Sequence, residues 1–105
     1  MKADTSTFRD DVINIVKQIP SGHVLTYGKI ALLAARPTCS RLVGATLHGT
    51  SAQGVPCHRV VNSQGRLAPC WPEQRRRLEQ EGVVFKSNGC VDLAQSAWKL
   101  DILYK

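Results

Sequence analysis

The sequence predicts a mostly α-helical fold with a small β-hairpin or wing, arranged as a winged helix-turn-helix domain. Three observations predict it. Apolar residues recur at helical spacing near the N-terminus, two short helical patterns flank a proline-containing break, and short extended runs later alternate with turn clusters. At 105 residues, 43% of them hydrophobic, the chain suits one domain over 1–105, with a modest core and no linker.

The elements follow in order. Phe8, Val12, Ile15, Val16 and Ile19 share one stripe of a first helix, with Thr7 and Asp10 as its capping box, and Pro20, Ser21 and Gly22 end it. Val24, Leu25 and Thr26 form an extended connection. Thr26 then caps a second helix from residue 27 to about 35, which Arg36, Pro37 and Thr38 break because proline cannot continue the helical ladder. Ser40 caps a third helix over residues 41 to about 48, and Gly49 stops it. The third helix is thin-sided at Gly44 and Ala45, so the pair has the outline of a helix-turn-helix, in which the second helix approaches DNA closely. A generic helical hairpin has the same outline.

Residues 55–67 change character: Val60 and Val61 are extended, and Asn62, Ser63, Gln64 and Gly65 make a turn, together a small hairpin or wing. Pro69, Cys70, Trp71 and Pro72 form a second break before a charged helix from about 73 to 80. Its Arg75, Arg76 and Arg77 cannot all share one face, and most such runs are solvated. Val83, Val84 and Phe85, a turn at Ser87, Asn88 and Gly89, and then Val91 and Leu93 read as a further hairpin, packed down by Trp98 and Leu100. Trp98 as a stacking platform for a base is the alternative, though an apolar-flanked Trp is more often core.

Charge and cysteine usage narrow the classes. Fourteen Lys and Arg against eight Asp and Glu give a net +6, which suits a phosphate backbone, although solubility accounts for such a surplus too. No apolar run approaches the roughly 20 residues of a membrane span, and the polar start at Lys2, Asp4, Thr5 and Ser6 is no signal peptide. A cytoplasmic protein is expected, nucleoid-associated in a bacterium, with no membrane partner. Cys39, Cys57, Cys70 and Cys90 then read as reduced thiols, and without Cys-x-x-Cys or a His pair at ligand spacing neither a metal nor a cofactor is expected.

The chemistry concentrates at Pro56, Cys57, His58, Arg59 and Val60. A thiol needs a nearby base or cation to become a nucleophilic thiolate, and an imidazole stands next to this one. Adjacent side chains of an extended segment point apart, so His58 acts on Cys57 through a water or after a local bend. A lone Cys is more often a small buried hydrophobe.

With Pro20, Gly22, Val24, Thr26, Tyr27 and Gly28, then Arg41, Val43 and Gly44, then residues 56–61, and finally Leu78, Glu81 and Gly82, the chain resembles the DNA-binding, active-site domain of the O6-alkylguanine-DNA alkyltransferases. The resemblance spans nearly the whole chain. It implies a duplex containing O6-alkylguanine as partner, extrusion of the damaged nucleotide, and one irreversible transfer of the alkyl group to Cys57. His58 is then the base that draws the thiol proton through a water, and Glu81 the carboxylate that orients the imidazole. Tyr27 and Arg41 match the pair that rotates the nucleotide out, with Arg41 filling the vacated stack, and the helix carrying Gly44 and Ala45 enters the minor groove. Arg59 and Arg75 are further candidate DNA contacts. Tyr27, Val55, Pro56, Cys57 and Trp71 make the expected lesion pocket.

The chain also departs from that family's pattern. Helix-forming sequence within the first ten residues leads us to expect no separate N-terminal domain. Thr50 stands where an asparagine usually supports the active-site turn, and the Gly-rich loop that lines the guanine pocket is here Ala68, Pro69, Cys70, Trp71 and Pro72. These departures, with the tail from Gly82 to Trp98, look like the alkyltransferase-like proteins, which bind alkylated guanine without repairing it and pass it to nucleotide excision repair. Most of those carry Trp where this chain has Cys57. Two readings result: a single-turnover methylated-DNA–protein-cysteine methyltransferase, expected to be a monomer, and a non-enzymatic lesion sensor whose partners include excision-repair proteins. The intact Cys57, His58 and Glu81 favour the first. A winged-helix transcription regulator would explain charge and helices but leave Cys57 and His58 idle.

Overall fold

Helix α1, Thr5–Gln18, turns Phe8, Val12 and Val16 inward, none more than 3% exposed, and Ile19 just beyond its end joins them. The spacing read from the sequence produces that stripe. The computed structural model describes residues 5–99, without the side chains of residues 5–7, 51 and 52. Thr7 therefore sits inside α1 and not ahead of it, and its capping side chain, like Leu100, lies outside the described residues.

Strand β1, Leu25–Thr26, runs directly into helix α2, Tyr27–Leu33. Thr26 caps it as expected, its Oγ1 accepting the Lys29 N–H at 3.1 Å. The helix stops short of the expected residue 35. Ala34 is its C-cap, and Ala35 takes a left-handed φ of 64° while the Arg36 N–H donates to Ala31 O at 2.9 Å. That conformation costs an L-residue with a Cβ roughly 1–2 kcal/mol and a glycine almost nothing. Ala35→Gly is accordingly expected to raise stability by about 1 kcal/mol, a Tm gain of roughly 4–8 °C by thermal unfolding; an unchanged or lower Tm would contradict this account of the helix end.

Helix α3, Ser40–Leu47, begins at Ser40 itself. Cys39 occupies the cap position and makes no side-chain capping bond, so Ser40 is the first helical residue and not the expected cap. Helices α1, α2 and α3 close around one core that includes Val12, Ile19, Leu25, Ile30, Val43 and Leu47, and the α2–α3 pair forms the expected helix-turn-helix.

The pairing of Val60–Val61, strand β2, corrects the hairpin read from residues 55–67. It lies parallel to β1, with Leu25 opposite Val60 and Thr26 opposite Val61. Both valines are buried although successive side chains of a strand face opposite ways. A small exposed hairpin covers one face only, whereas pairing with β1 inside the core covers both. The turn itself forms: Asn62 Oδ1 accepts the N–H groups of Gln64 and Arg66, each at 2.8 Å. The chain leaving it is captured by the tail, because Gly65 O accepts the Val91 N–H at 2.8 Å. Gly65 has φ 82°, and a Cβ there would collide with Val91 O, so glycine alone fits.

Helix α4 spans Pro72–Gln80, with proline in its first turn where a missing N–H is harmless. Beyond it the second expected hairpin is present as an antiparallel bridge between Phe85 and Val91. Leu93, read as part of that hairpin, instead opens the short helix α5, Leu93–Ser96, which Asp92 caps through a hydrogen bond from the Ala94 N–H. Val24, Val61, Leu78, Val83 and Val91 form a second small core under this tail. Trp98 packs against the main core, and its backbone N–H donates to Val24 O at 2.9 Å. No described helix is long and apolar enough to cross a membrane.

Candidate active site and DNA-facing cleft

Cys57 opens a single 3-10 turn, Cys57–Arg59, between Pro56 and β2. The turn is held by the Cys57 N–H on Val55 O at 2.7 Å and the Arg59 N–H on Pro56 O at 3.0 Å. Gln74 of α4 pins it from beneath. Its Nε2 donates to His58 O at 3.2 Å and Val60 O at 3.0 Å, while its Oε1 accepts the Ala68 N–H at 2.7 Å. At 1% exposure, this one amide ties the cysteine turn to the loop that ends in Trp71. Sequence reasoning missed it. The signal was present, since Gln74 lies four residues before the buried Leu78 and therefore on the same inner face of an otherwise charged helix.

The Cys57 thiol opens into a cleft of about 370 Å³ whose lining includes Tyr27, Gly44, Leu47, His48, Ala68 and Trp71. This is near the lower end of the roughly 300–1,000 Å³ typical of ligand sites. Of the five residues expected to form a lesion pocket, Tyr27, Cys57 and Trp71 meet here, whereas Val55 and Pro56 line a separate cleft behind the turn with Lys17, His58, Arg59 and Arg77. The Tyr27 ring packs against α3 at Gly44, where a Cβ would meet Tyr27 Cε1 at 3.6 Å, an ordinary contact distance. Ala45 is exposed on the neighbouring part of α3, and the exposed Arg41 shares a shallow groove with Tyr27, Ser40 and Gly44.

The environment of the sulfur is specific. Sγ lies 2.9 Å from Thr50 Oγ1 and 3.7 Å from Leu47 O. Burial pushes the Cys57 thiol up from its ordinary pKa, and the Thr50 contact would lower it only if Thr50 gave its proton to sulfur. Burial, and then the charge of an ionised Cys57, also push the Tyr27 hydroxyl up, so that it stays a proton donor at neutral pH.

His58 is buried, and its Nε2 lies 2.9 Å from Glu81 Oε2. Arg59 completes a triad: Nε lies 3.0 Å from Oε1 and Nη2 2.8 Å from Oε2 of the same carboxylate. Burial alone would raise the Glu81 pKa, but the hydrogen bonds from Arg59 and then His58 outweigh it and hold the carboxyl down to about 2. An ionised carboxylate only accepts, so Nε2 carries a proton toward it, while Nδ1 is buried and without a partner among the described residues. His58 and Cys57 line different clefts, in keeping with adjacent side chains directed apart.

Two arginines expected at DNA are placed in other contacts. Arg59 spends its guanidinium on Glu81 and, through Nη1, on Ile19 O at 2.8 Å, because a half-buried carboxylate requires a cation beside it. Arg75 lies over the Phe85 ring at 4.4 Å and donates to Glu79, while Arg76 and Arg77 both pair with Glu73. The arginine run is thus a solvated helix face with its own acidic partners. The other cysteines are free thiols, Cys90 buried and Cys70 exposed.

Fold and site together define a helix-turn-helix domain with a cysteine-bearing cleft beside its second helix. Residues 7–83 match the family model of the 6-O-methylguanine DNA methyltransferase, DNA binding domain, and the chain belongs to that family. It is 38% identical to the DNA base-flipping protein of Escherichia coli over 96 residues, covering 88% of this chain and 74% of that one. It is 42% identical to alkyltransferase-like protein 1 of Schizosaccharomyces pombe over 102 residues, covering 88% and 94% respectively. The structure of S. pombe Atl1 in complex with damaged DNA containing O6-carboxymethylguanine superimposes with a TM-score of 0.82 at 33% identity, over 93% of this chain and 100% of that one. The family therefore takes in methyltransferases and alkyltransferase-like proteins alike.

Proposed function

We propose that this protein recognises O6-alkylguanine in duplex DNA, rotates the damaged nucleotide into the Cys57 cleft, and transfers the alkyl group irreversibly to Sγ. One observation carries the reading. Cys57 opens into the cleft that Tyr27 and α3 also line, with a formed His58–Glu81 pair behind the same turn. A relative named for base flipping, and the Atl1 complex with O6-carboxymethylguanine DNA, support the substrate class. Extrusion is required because a thiol recessed in a cleft cannot reach O6 of a stacked guanine, and on this reading the exposed Arg41, near the start of α3, fills the gap.

In the transfer, the thiol proton passes to His58 Nδ1 across an intervening water, and Glu81 stabilises the imidazolium through Nε2. A bond forms from Sγ to the alkyl carbon as the bond from that carbon to O6 breaks. The guanine leaves with the electron pair and takes up one proton, for which Tyr27 is the donor in the cleft, and the proton held by His58 passes back through water to the Tyr27 oxygen, so that both side chains end as they began. The cysteine ends as a thioether, so each molecule acts once.

The sensor reading has its own support in the raised thiol pKa and the altered loop at Trp71. Under it the protein holds the lesion for excision-repair proteins and Cys57 is a wall of the pocket. Intact-protein mass after incubation with a duplex containing one O6-methylguanine separates the two. Transfer is expected to replace one thiol hydrogen by a methyl group in each molecule; unchanged mass with tight, lesion-selective binding would establish the sensor instead.

A further inference from the structure

Thr50 is 1% exposed, and its hydroxyl carries one proton for two neighbours. Oγ1 lies 2.8 Å from Leu47 O and 2.9 Å from Cys57 Sγ. A carbonyl oxygen can only accept, so the first contact consumes the Thr50 proton. With that proton committed, the second contact uses the proton of the thiol, with Cys57 donating to Oγ1, and the longer contact from Sγ to Leu47 O at 3.7 Å is likewise one in which the sulfur donates. A thiolate in the same place would face a lone pair of Oγ1. It would also lie 3.7 Å from the carbonyl of Leu47, the last residue of α3, where the helix presents its negative end.

We propose that Thr50 holds Cys57 in its thiol form, as a hydrogen-bond donor, so that residue 50 sets how fast this cleft transfers an alkyl group while leaving lesion binding untouched. The inference rests on the reading of Cys57 as acceptor and identifies what limits it. To support a thiolate, Thr50 would have to swing its proton from Leu47 O to sulfur and strand a buried carbonyl. A side-chain amide at residue 50 would escape that conflict, because its two N–H donors can serve Leu47 O and Sγ together. The other titratable groups around the sulfur are Tyr27 from α2, His48 just past α3 and His58 in the same turn, while the Arg59 guanidinium is turned away to Glu81. Thr50 is a positioning residue: it acts on the reaction through the state of the sulfur.

The test is the pH dependence of Cys57 alkylation by iodoacetamide in the full chain, read by peptide mass so that Cys39, Cys70 and Cys90 are separated from it. It is run on wild type, Thr50→Ser, Thr50→Val and Thr50→Asn. Wild type and Thr50→Ser are expected to share an apparent pKa above the roughly 8.5 of free cysteine. Thr50→Asn is expected to fall by about one pH unit and to alkylate roughly tenfold faster at neutral pH. Its methyl transfer from an O6-methylguanine duplex should accelerate by a similar factor, with lesion Kd within about twofold of wild type. Thr50→Val, which removes the acceptor that favours the thiol without supplying a donor for the thiolate, should fall by less than Thr50→Asn.

A wild-type pKa at or below that of free cysteine would overturn the proposal, and that profile is decisive even if a variant does not fold. An Asn variant that folds but titrates like wild type would overturn it as well. If the alkylation profiles behave as expected yet no variant takes a methyl group from DNA, the role of Thr50 stands and the transfer reading is the one that fails.

Discussion

Cys57→Ser is expected to abolish methyl transfer completely while lesion binding stays within about fivefold of wild type. The two effects separate because the sulfur is the atom that bonds to the alkyl carbon, whereas binding draws on Tyr27, Arg41 and the cleft walls. A serine hydroxyl still donates to Thr50 Oγ1 and fills nearly the same space, so the turn over Cys57–Arg59 keeps its geometry. Its oxygen, however, is far harder to deprotonate than a thiol, and a cleft that already pushes Cys57 up gives it no help. Intact mass reports the first effect and titration of a fluorescent O6-methylguanine duplex the second. A change of at most one hydrogen bond corresponds to about 1 kcal/mol, which is the stated fivefold. Loss of binding together with transfer would show that Cys57 holds the fold or the lesion as well, and a retained mass gain in the variant would move the acceptor elsewhere.

Glu81→Gln should produce the largest loss of stability among conservative changes at the site. The carboxylate receives Nε and Nη2 of Arg59, Nε2 of His58 and, at 3.4 Å, the N–H of Gly22. Its side chain and that of Arg59 are only 16% and 18% exposed, so removing the charge leaves a guanidinium largely out of water without its anion. Breaking a buried pair in this way costs roughly 3–5 kcal/mol; with some solvent access we expect about 3 kcal/mol and a Tm fall of more than about 10 °C. The pH dependence gives the signature. Because the folded pKa of about 2 lies below the unbound value of 4.5, the carboxylate contributes stability that is fully present above pH 4.5 and disappears as pH falls toward 2. Wild type and Glu81→Gln should therefore differ most near neutrality and converge in acid. Parallel curves of Tm against pH would show that the triad does not hold the fold.

The same triad marks how far local reading reached. The α1 stripe, the Thr26 cap, the breaks at Pro20 and Pro37 and the Asn62 turn depend on residues within one or two turns of one another, and each was legible from spacing and side-chain type. The residues gathered at the cleft were legible in part: Tyr27, Cys57 and Trp71 meet there, and Glu81 does reach His58. The partners of Arg59, a candidate DNA contact in the sequence, lie beyond local reach. Its carboxylate is 22 residues away and its backbone acceptor 40.

By itself, then, the sequence determined a basic helix-turn-helix domain with a cysteine at its chemical centre, because periodicity, capping and the Pro-Cys-His-Arg-Val segment act over short stretches of chain. Tertiary structure decided that Val60–Val61 pairs with Leu25–Thr26, that Gln74 fastens the cysteine turn, that Arg59 neutralises Glu81 and that the Thr50 proton goes to Leu47 O. Each is a choice among partners distant along the chain. Burial settles it, since a strand face, an amide, a charge or a hydroxyl removed from water must find its complement in whatever the fold brings beside it.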